Sequence, residues 1–403
     1  MPSLARGFNR SAVLSALISH GETDRATLAS VTGLSQATVS RVVDDLLQET
    51  LISERAAAVR QGPGRSASLV RLNERIALTA GVDLGGTNCR ILVSDAAGRT
   101  LGTRFDTTPS DLSASELADW LAGNIYDLAV RSADGAELGA VAIGLPGAVA
   151  GDKERVVGSH NLPQIRGTEF IDSVSEAMGV PTVIDNDSNL ALLGELQYGS
   201  ASPADTTVLL VLGTGLSAAV SLDGRVLSGR EGLLGEFGRL PLPGGTLRVR
   251  DLLSGAGLVS HAAAAGHPVA SSRELFATPD AHGPILESVH DALQFLIELV
   301  ALAYEPQSIL LTGGFADSFD DGMLMRVAGR VESRVGVATQ LAHSSLGGSA
   351  GLLGAMSLAL TTLYLSLGMT GEDIAGIVTD RDGVVSAFES AAPLRERLAS
   401  WTE

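Results

Sequence analysis

Two stretches of this chain share one grammar, and together they constrain the fold more than anything else in it. Residues 81–88 read Gly81-Val82-Asp83-Leu84-Gly85-Gly86-Thr87-Asn88 and run on into an apolar stretch ending at Asp95. That is an apolar strand, a tight glycine turn and a second strand. The two glycines let the backbone turn sharply and leave its N–H groups free to face a phosphate. Thr87 adds a hydroxyl, and Asp83 is placed to hold a metal-bound water or a phosphate-side cation. Taken alone, the stretch is equally an ordinary hairpin. Residues 208–222 repeat the pattern around Gly213-Thr214-Gly215, and Asp223-Gly224 follows as a type I′ turn signal. Two such loops point to two related lobes clasping one nucleotide.

At 403 residues the chain is long enough for two or three domains with sizeable cores. Cys89 is the single cysteine, which rules out a disulfide framework and a Cys-rich zinc cluster. No stretch reads as long and uncharged enough to cross a bilayer, since Glu287, Asp291 and Glu298 interrupt the apolar run 285–304. No secretory leader is evident, so a soluble cytoplasmic protein without membrane contact is expected. Charge is uneven. Residues 1–80 hold nine Arg against seven Asp/Glu, a balance of +2, whereas the remainder carries −20 of a total of −18. An acidic body argues against diffuse polyanion binding there, and any nucleic-acid contact falls to the head.

In the head, Val13, Leu14, Leu17 and Ile18 recur at helical spacing over residues 10–20, and Gly21 ends that helix. Thr23 or Asp24 caps a second helix over 25–32, with Leu28, Ala29 and Val31 turned inward. Gly33-Leu34 make a turn and Ser35 caps a third helix through Leu47. A short glycine turn between two helices is the helix-turn-helix signature. Ser35, Gln36, Thr38 and Arg41 then lie where base edges are met. Two strands around residues 51–53 and 67–72 flank a basic, glycine-rich tip carrying Arg60 and Arg65, a wing suited to phosphate or the minor groove. A three-helix protein-interaction module is the bland alternative.

In the body, a helix over 115–132 and a buried strand over 138–145 lead to the rigid turn Gly144-Leu145-Pro146-Gly147. A strand ending at Asp185 delivers Asn186-Asp187 to the start of the helix 188–198. A carboxylate at a strand end is well placed for a general base, because ligands of α/β folds sit beyond the carboxyl ends of strands. The plain alternative is that Asp187 only caps the helix. Gly313-Gly314 end a strand where an adenine or ribose could lie against backbone, and a last long helix covers 349–365.

These motifs resemble the ROK family (repressor, open reading frame, kinase), in its sugar-responsive transcriptional regulators of the NagC, Mlc and XylR kind. The carriers are the segments 32–40, 62–65, 83–87, 144–147, 185–189, 212–215, 235–238 and 312–314. The resemblance implies an α/β, two-lobed actin-like ATPase fold behind an N-terminal winged helix-turn-helix domain. It implies a DNA-binding domain over 1–75 and a first lobe over 80–187 plus about 350–366. The second lobe would then cover 188–349, with an extension over 367–403. It also implies an operator on double-stranded DNA, a carbohydrate effector in the interlobe cleft, and a homodimer or homotetramer. In kinase members ATP with magnesium lies between the glycine loops, here Asp83, Gly85, Gly86, Thr87, Gly213, Thr214, Gly215, Gly313 and Gly314. By position the sugar-site asparagine is Asn186, the base is Asp187, an acid on sugar hydroxyls is Glu236, and a loop contact is Asn161. Three departures stand out. Arg239 occupies the family's sugar- and zinc-binding histidine position, the zinc cysteines are missing from 247–250, and Asp251 replaces a longer acid. No zinc is therefore expected. Arg239 offers a forked donor suited to an anion, or else it pairs with Glu236 or Asp251 and closes the pocket. A sensor rather than a kinase is the expectation, the alternatives being a sugar kinase with an added DNA-binding domain and a ligand-free dimerisation or partner-docking regulator.

Overall fold

The computed structural model describes residues 2–56, 68–133, 135–375, 377 and 384–385. The head begins with α1 (Pro2–His20), which starts well before the expected Arg10 and leaves Leu4 and Phe8 exposed. Gly21, at φ 69°, ends it. Strand β1 (Thr23–Asp24) leads into α2 (Arg25–Thr32), where Asp24, not Thr23, is the cap and accepts from Thr27 N at 2.8 Å. Ser35 caps α3 (Gln36–Gln48) through Thr38 N. Leu28, Val39, Val42, Val43 and Leu46 are buried with Val13, Leu14 and Leu17. Val31 was expected inside but is exposed. The inward line of so short a helix runs from Leu28 to Thr32 four residues on, and Thr32 Oγ1 donates to Leu28 O. Strands β2 (Ile52–Ala56) and β3 (Ser68–Leu72) pair antiparallel, with β3 between β1 and β2. The tip between them, with Arg60 and Arg65, lies outside the described residues.

The first lobe is built from β4 (Leu78–Leu84), β5 (Asn88–Ser94), β6 (Thr100–Thr107), α4 (Ala114–Ser132), β7 (Leu138–Leu145), the short pair β8 (Ala148–Val149) and β9 (Val156–Gly158), α5 (Glu169–Met178) and β10 (Thr182–Asn186). Its sheet runs β10-β7-β4-β5-β6, with β4, β7 and β10 parallel. Helices α4 and α5 cover one face of it. Helix α6 (Asp187–Tyr198) leaves the end of β10 and leads to the second lobe. There β11 (Thr207–Leu212), β12 (Leu216–Leu222) and β13 (Arg225–Val226) precede α7 (Val249–Leu252), α8 (Gly255–Ala264), α9 (Ser272–Ala277) and α10 (Pro279–Tyr304). The lobe closes with β14 (Ser308–Thr312), α11 (Asp321–Val335) and β15 (Gln340–His343), in the sheet order β13-β12-β11-β14-β15. Asp223 (φ 50°) and Gly224 (φ 72°) make the β12–β13 turn with both residues left-handed, as a type I′ turn requires.

Helix α12 (Ala350–Ser366) returns to cover the other face of the first sheet and packs along α6. Each helix puts a glycine where the other's backbone passes. A Cβ on Gly194 would overlap the Ala350 carbonyl oxygen, and one on Gly354 would overlap that of Leu190. A Cβ on Gly81 of β4 would lie 2.5 Å from Met356 N, so the same helix also lies flat on the sheet. The segment Gly347–Ser366 is in fact long and apolar enough, at mean hydropathy 1.4, to cross a membrane, contrary to the expectation from sequence. Its composition instead reflects packing on two sides, for Leu352, Leu353, Met356, Leu360 and Leu363 are buried inside the protein. The short α13 (Gly371–Ala375) then folds back on the head, where Thr370 N donates to Ser11 Oγ and Arg10 Nε to Leu367 O.

Gly354→Ala is expected to destabilise the protein by on the order of 3 kcal/mol, because the added methyl has no space between the two helices. Gly123→Ala in α4, where a Cβ meets nothing within 4 Å, should instead stabilise by about 0.5–1 kcal/mol. Urea unfolding of both variants checks the contrast, and a harmless Gly354→Ala would show that the helices separate freely.

Candidate functional site

A cleft of about 780 Å³ opens between the lobes. Its first-lobe wall includes Gly147, His160, Asn161, Asn186 and Asp187, and its second-lobe wall includes Gly213, Thr214, Gly215, Glu236, Arg239 and Asp251. The β10–α6 junction builds the inner end. Asn186, not Asp187, caps α6. Its Oδ1 accepts from Ser188 N at 2.9 Å and Asn189 N at 3.3 Å, and its Nδ2 donates to Gly147 O at 2.6 Å. Asp185 is equally committed, to Lys153 Nζ at 2.7 Å and Asn189 Nδ2 at 2.8 Å. Asp187 is thereby left as the carboxylate partly open to the cleft, steadied by Ser188 N at 2.7 Å and Ser188 Oγ at 3.2 Å. Desolvation, then the charge of Asp83 and more weakly that of Glu236, pushes its pKa up to about 7 against the opposing Ser188 hydrogen bonds. A carboxyl that titrates near neutrality can accept or give a proton at a sugar hydroxyl.

Asp83 is nearby but not free. Arg90 Nη2 donates to its Oδ2, and Arg90 Nη1 reaches Gly348 O. The oxygen that was expected to hold a metal-bound water or a phosphate-side cation thus meets a guanidinium here. The Gly85-Gly86-Thr87 turn also stands off the cleft lining, although a Cβ on Gly86 would lie 2.5 Å from that of Asn161. In the second lobe Gly213 and Gly215 have nothing within 4 Å of their Cβ directions. Gly313 (φ 97°) packs behind the same turn, where an added Cβ would lie 3.1 Å from Gly213 N, and Gly255 N donates to Gly213 O at 2.8 Å. Neither Gly313 nor Gly314 is among the residues that line the cleft. The open turn could take a phosphate, whereas a magnesium ion would find Asp83 occupied. ATP with magnesium would meet the open Gly213–Gly215 turn on one side and an Asp83 paired through Oδ2 on the other.

Glu236 and Arg239 flank a 3-10 turn (Phe237–Arg239), and Arg239 Nε donates to Glu236 Oε2 at 3.1 Å. The pairing reading of Arg239 thus holds for that contact, yet the cleft stays open. Asp251, in the first turn of α7, spends Oδ2 on the backbone N–H of the capping residue Arg248 at 2.7 Å. Sequence reading missed His160, Arg250 and His261, which also line the cleft. His160 adjoins Asn161 and was within reach of inspection, but His261 sits on an alanine-rich helix with no local signal. Among the described residues no group of three or more His, Cys, Asp or Glu is placed to hold a metal ion.

On the head, Ser35, Gln36 and Arg41 are exposed, while Thr38 is half-buried and shares a 2.9 Å hydrogen bond with Ser35 Oγ. Arg6, Arg10, Arg25 and Arg55 are all tied to head carboxylates, so the cationic character expected there is largely neutralised. Arg41 has no ion pair among the described residues.

Two α/β lobes with a cleft between them define the actin-like fold. The chain belongs to the ROK family, whose profile matches residues 79–362. It is 26% identical to a xylose repressor of Caldicellulosiruptor bescii over 242 residues, 59% of each chain. It is also 26% identical to a glucokinase of Halalkalibacterium halodurans over 309 residues, 68% of this chain and 92% of the other. The match thus spans about three-fifths of the length of the repressor. Among solved structures, a ROK family transcriptional regulator homologous to E. coli Mlc superposes with a TM-score of 0.72 at 20% identity, covering 92% of this chain and 99% of that one. A ROK hexokinase from Thermus thermophilus gives 0.60 at 30% identity, covering 72% and 99%.

The raised Asp187 pKa has a definite sign. The folded state keeps this proton over about pH 4–7 while an unfolded aspartate has lost it, so the contribution to stability is full at low pH and is lost as pH rises through about 7. Wild type should therefore lose stability relative to Asp187→Asn between pH 5 and 7, with the difference level above pH 8. Parallel denaturation curves across that range would show an ordinary carboxylate.

Proposed function

We propose that this protein is a DNA-binding transcriptional regulator, a repressor, whose cleft senses a sugar or sugar phosphate without phosphorylating it. The head carries this reading, because Ser35, Gln36 and Arg41 lie outward of a buried core and Arg41 has no ion pair among the described residues. The similarity to a xylose repressor and to a solved ROK transcriptional regulator supports it, and the ROK hexokinase covers only 72% of this chain. We assign Ser35, Gln36, Thr38 and Arg41 to the major groove, with Arg60 and Arg65 as wing contacts. The effector's hydroxyls would meet Asn161, Asn186, Asp187, Glu236 and Asp251. The assembly is expected to be a homodimer or homotetramer working in the cytoplasm on a palindromic operator. We also expect no structural zinc, and elemental analysis finding one zinc per chain would overturn that.

A second reading, a sugar kinase with an added head, draws on Asp187 near pKa 7 and on the open Gly213–Gly215 turn. Against it, Arg90 engages Asp83, and Asp251 is short and spent on a helix cap. Phosphoryl transfer depends on positioning, where an error of about 1 Å costs on the order of a hundredfold in rate. Arg41→Ala should weaken operator binding by about 1–3 kcal/mol and relax specificity at one position per half-site. Asp187→Asn should blunt the response of DNA affinity to ligand and leave ligand-free binding intact. Binding titrations on a panel of operator sequences, with and without sugars, read both. Asp187-dependent consumption of ATP with any sugar would promote the kinase.

A further inference from the structure

We infer that the effector carries an anionic group, a phosphate or a carboxylate, received at the mouth of the cleft by the forked guanidinium of Arg239. This deepens the carbohydrate reading of the cleft and rests on it. The polar groups there are sorted by exposure. The Glu236 side chain is 23% exposed, whereas those of Arg239 and Arg250 are 46% and 48% exposed. Glu236 therefore lies deeper than either cation, with Asp251, 36% exposed, between them.

Arg239 is held at one edge only. Its Nε donates to Glu236 Oε2, which fixes the plane of the guanidinium, and its two Nη groups have no acceptor among the described residues. Nη2 lies 4.0 Å from where a Cβ on Gly158 would stand. Gly158 belongs to β9 of the first lobe, while Arg239 belongs to the second, so the fork extends across the cleft. The glycine leaves the space in front of it unfilled. His160, two residues further along the first-lobe loop, is exposed and lines the same cleft. Arg250 makes only a 4.0 Å approach to Asp251 and supplies a second cation.

A planar fork with one nitrogen anchored by a carboxylate and two nitrogens facing open space matches an oxyanion's two oxygens. Glu236 engages Nε alone, so neutralising that carboxylate leaves both terminal nitrogens available. A neutral sugar would use the inner acceptors and leave this fork without a partner. An anion seated here touches both lobes at once, through Arg239 on one side and the Gly158–His160 loop on the other.

Calorimetric titration of the full chain with matched sets decides the matter: glucose, glucose 6-phosphate and gluconate; N-acetylglucosamine and its 6-phosphate; xylose and xylonate; and inorganic phosphate alone. In at least one set the anionic member should bind tenfold or more tighter than its neutral parent, and the phosphate and acid arms distinguish which anion is preferred. Arg239→Gln should bring that ratio to within twofold of one, and Arg239→Lys, which keeps the charge without the fork, should leave it between the two. Neutral parents binding as tightly as their anions in every set would overturn the inference while sparing the carbohydrate reading. A preference that survives Arg239→Gln would overturn the role of Arg239. If no sugar, sugar acid or sugar phosphate binds, the carbohydrate reading falls and this inference falls with it.

Discussion

The two lobes are held in register by one close helix crossing. Where α6 meets α12, Gly194 and Gly354 let backbone touch backbone, and no larger residue fits at either position. Glycine inside a helix costs about 0.5–1 kcal/mol relative to alanine, so two of them are tolerated here because the close approach returns dispersion contacts along both helices. Beside the crossing, the buried carboxylate of Glu195 accepts from Ser344 Oγ at 2.6 Å, Leu346 N at 2.8 Å, Ser200 N at 2.9 Å and Ser345 Oγ at 3.0 Å. A buried charge is costly unless its oxygens are met. These bonds fasten the second half of α6 to the segment that opens α12. Lobe position is thus set by a steric fit and a saturated carboxylate side by side.

From that crossing α12 runs in two directions that matter for function. Near its start, a Cβ on Gly351 would stand 3.3 Å from Asp83 Oδ2 and 4.0 Å from Asp187 O, so the helix begins against the floor of the cleft. Near its end, Leu363 and Tyr364 share a hydrophobic cluster with Val13, Leu14 and Leu17 of the head, and Tyr364 donates to Ala96 O at 2.8 Å. The chain beyond it is tied to α1 through Ser11 and Arg10. One rigid helix therefore touches the cleft and the head, and the head shares its core with the first lobe. A change in lobe angle at the cleft has a continuous packed route to α1.

Much of this was legible from the chain alone, for identifiable reasons. The glycine turns, the caps at Ser35 and Asp24 and the type I′ turn at Asp223-Gly224 are local chemistry, and local chemistry is written in short stretches. The crossing at Gly194 and Gly354 was not legible, because each glycine sits inside an unremarkable helix and acquires meaning only when the other helix arrives. The same holds for Arg90, seven residues beyond Asp83 in sequence and directly across the β4–β5 pair in space. Strand pairing, not spacing, put that guanidinium on the carboxylate. Asn186 took the cap that could have fallen to Asp187, since its amide also reaches Gly147 O. Residues 347–366 were also passed over, although their length and apolar composition suit a membrane span, and they pack on two sides inside the protein.

Electrostatics then separates binding from catalysis within one cleft. Asp187 keeps the desolvated surroundings that raise a carboxyl towards neutrality, and part of that rise is the field of Asp83. The residue that shapes the proton affinity of the base is itself neutralised by Arg90. An ion pair of this kind adds little net stability, since desolvation offsets most of its Coulomb energy, but it holds both side chains in fixed positions. A metal-assisted phosphoryl transfer would need to draw Asp83 away from Arg90 and leave that guanidinium uncompensated. On the sensor reading proposed above, sugar recognition uses Asp187 and Glu236 as they face the cleft and leaves the Asp83–Arg90 pair in place.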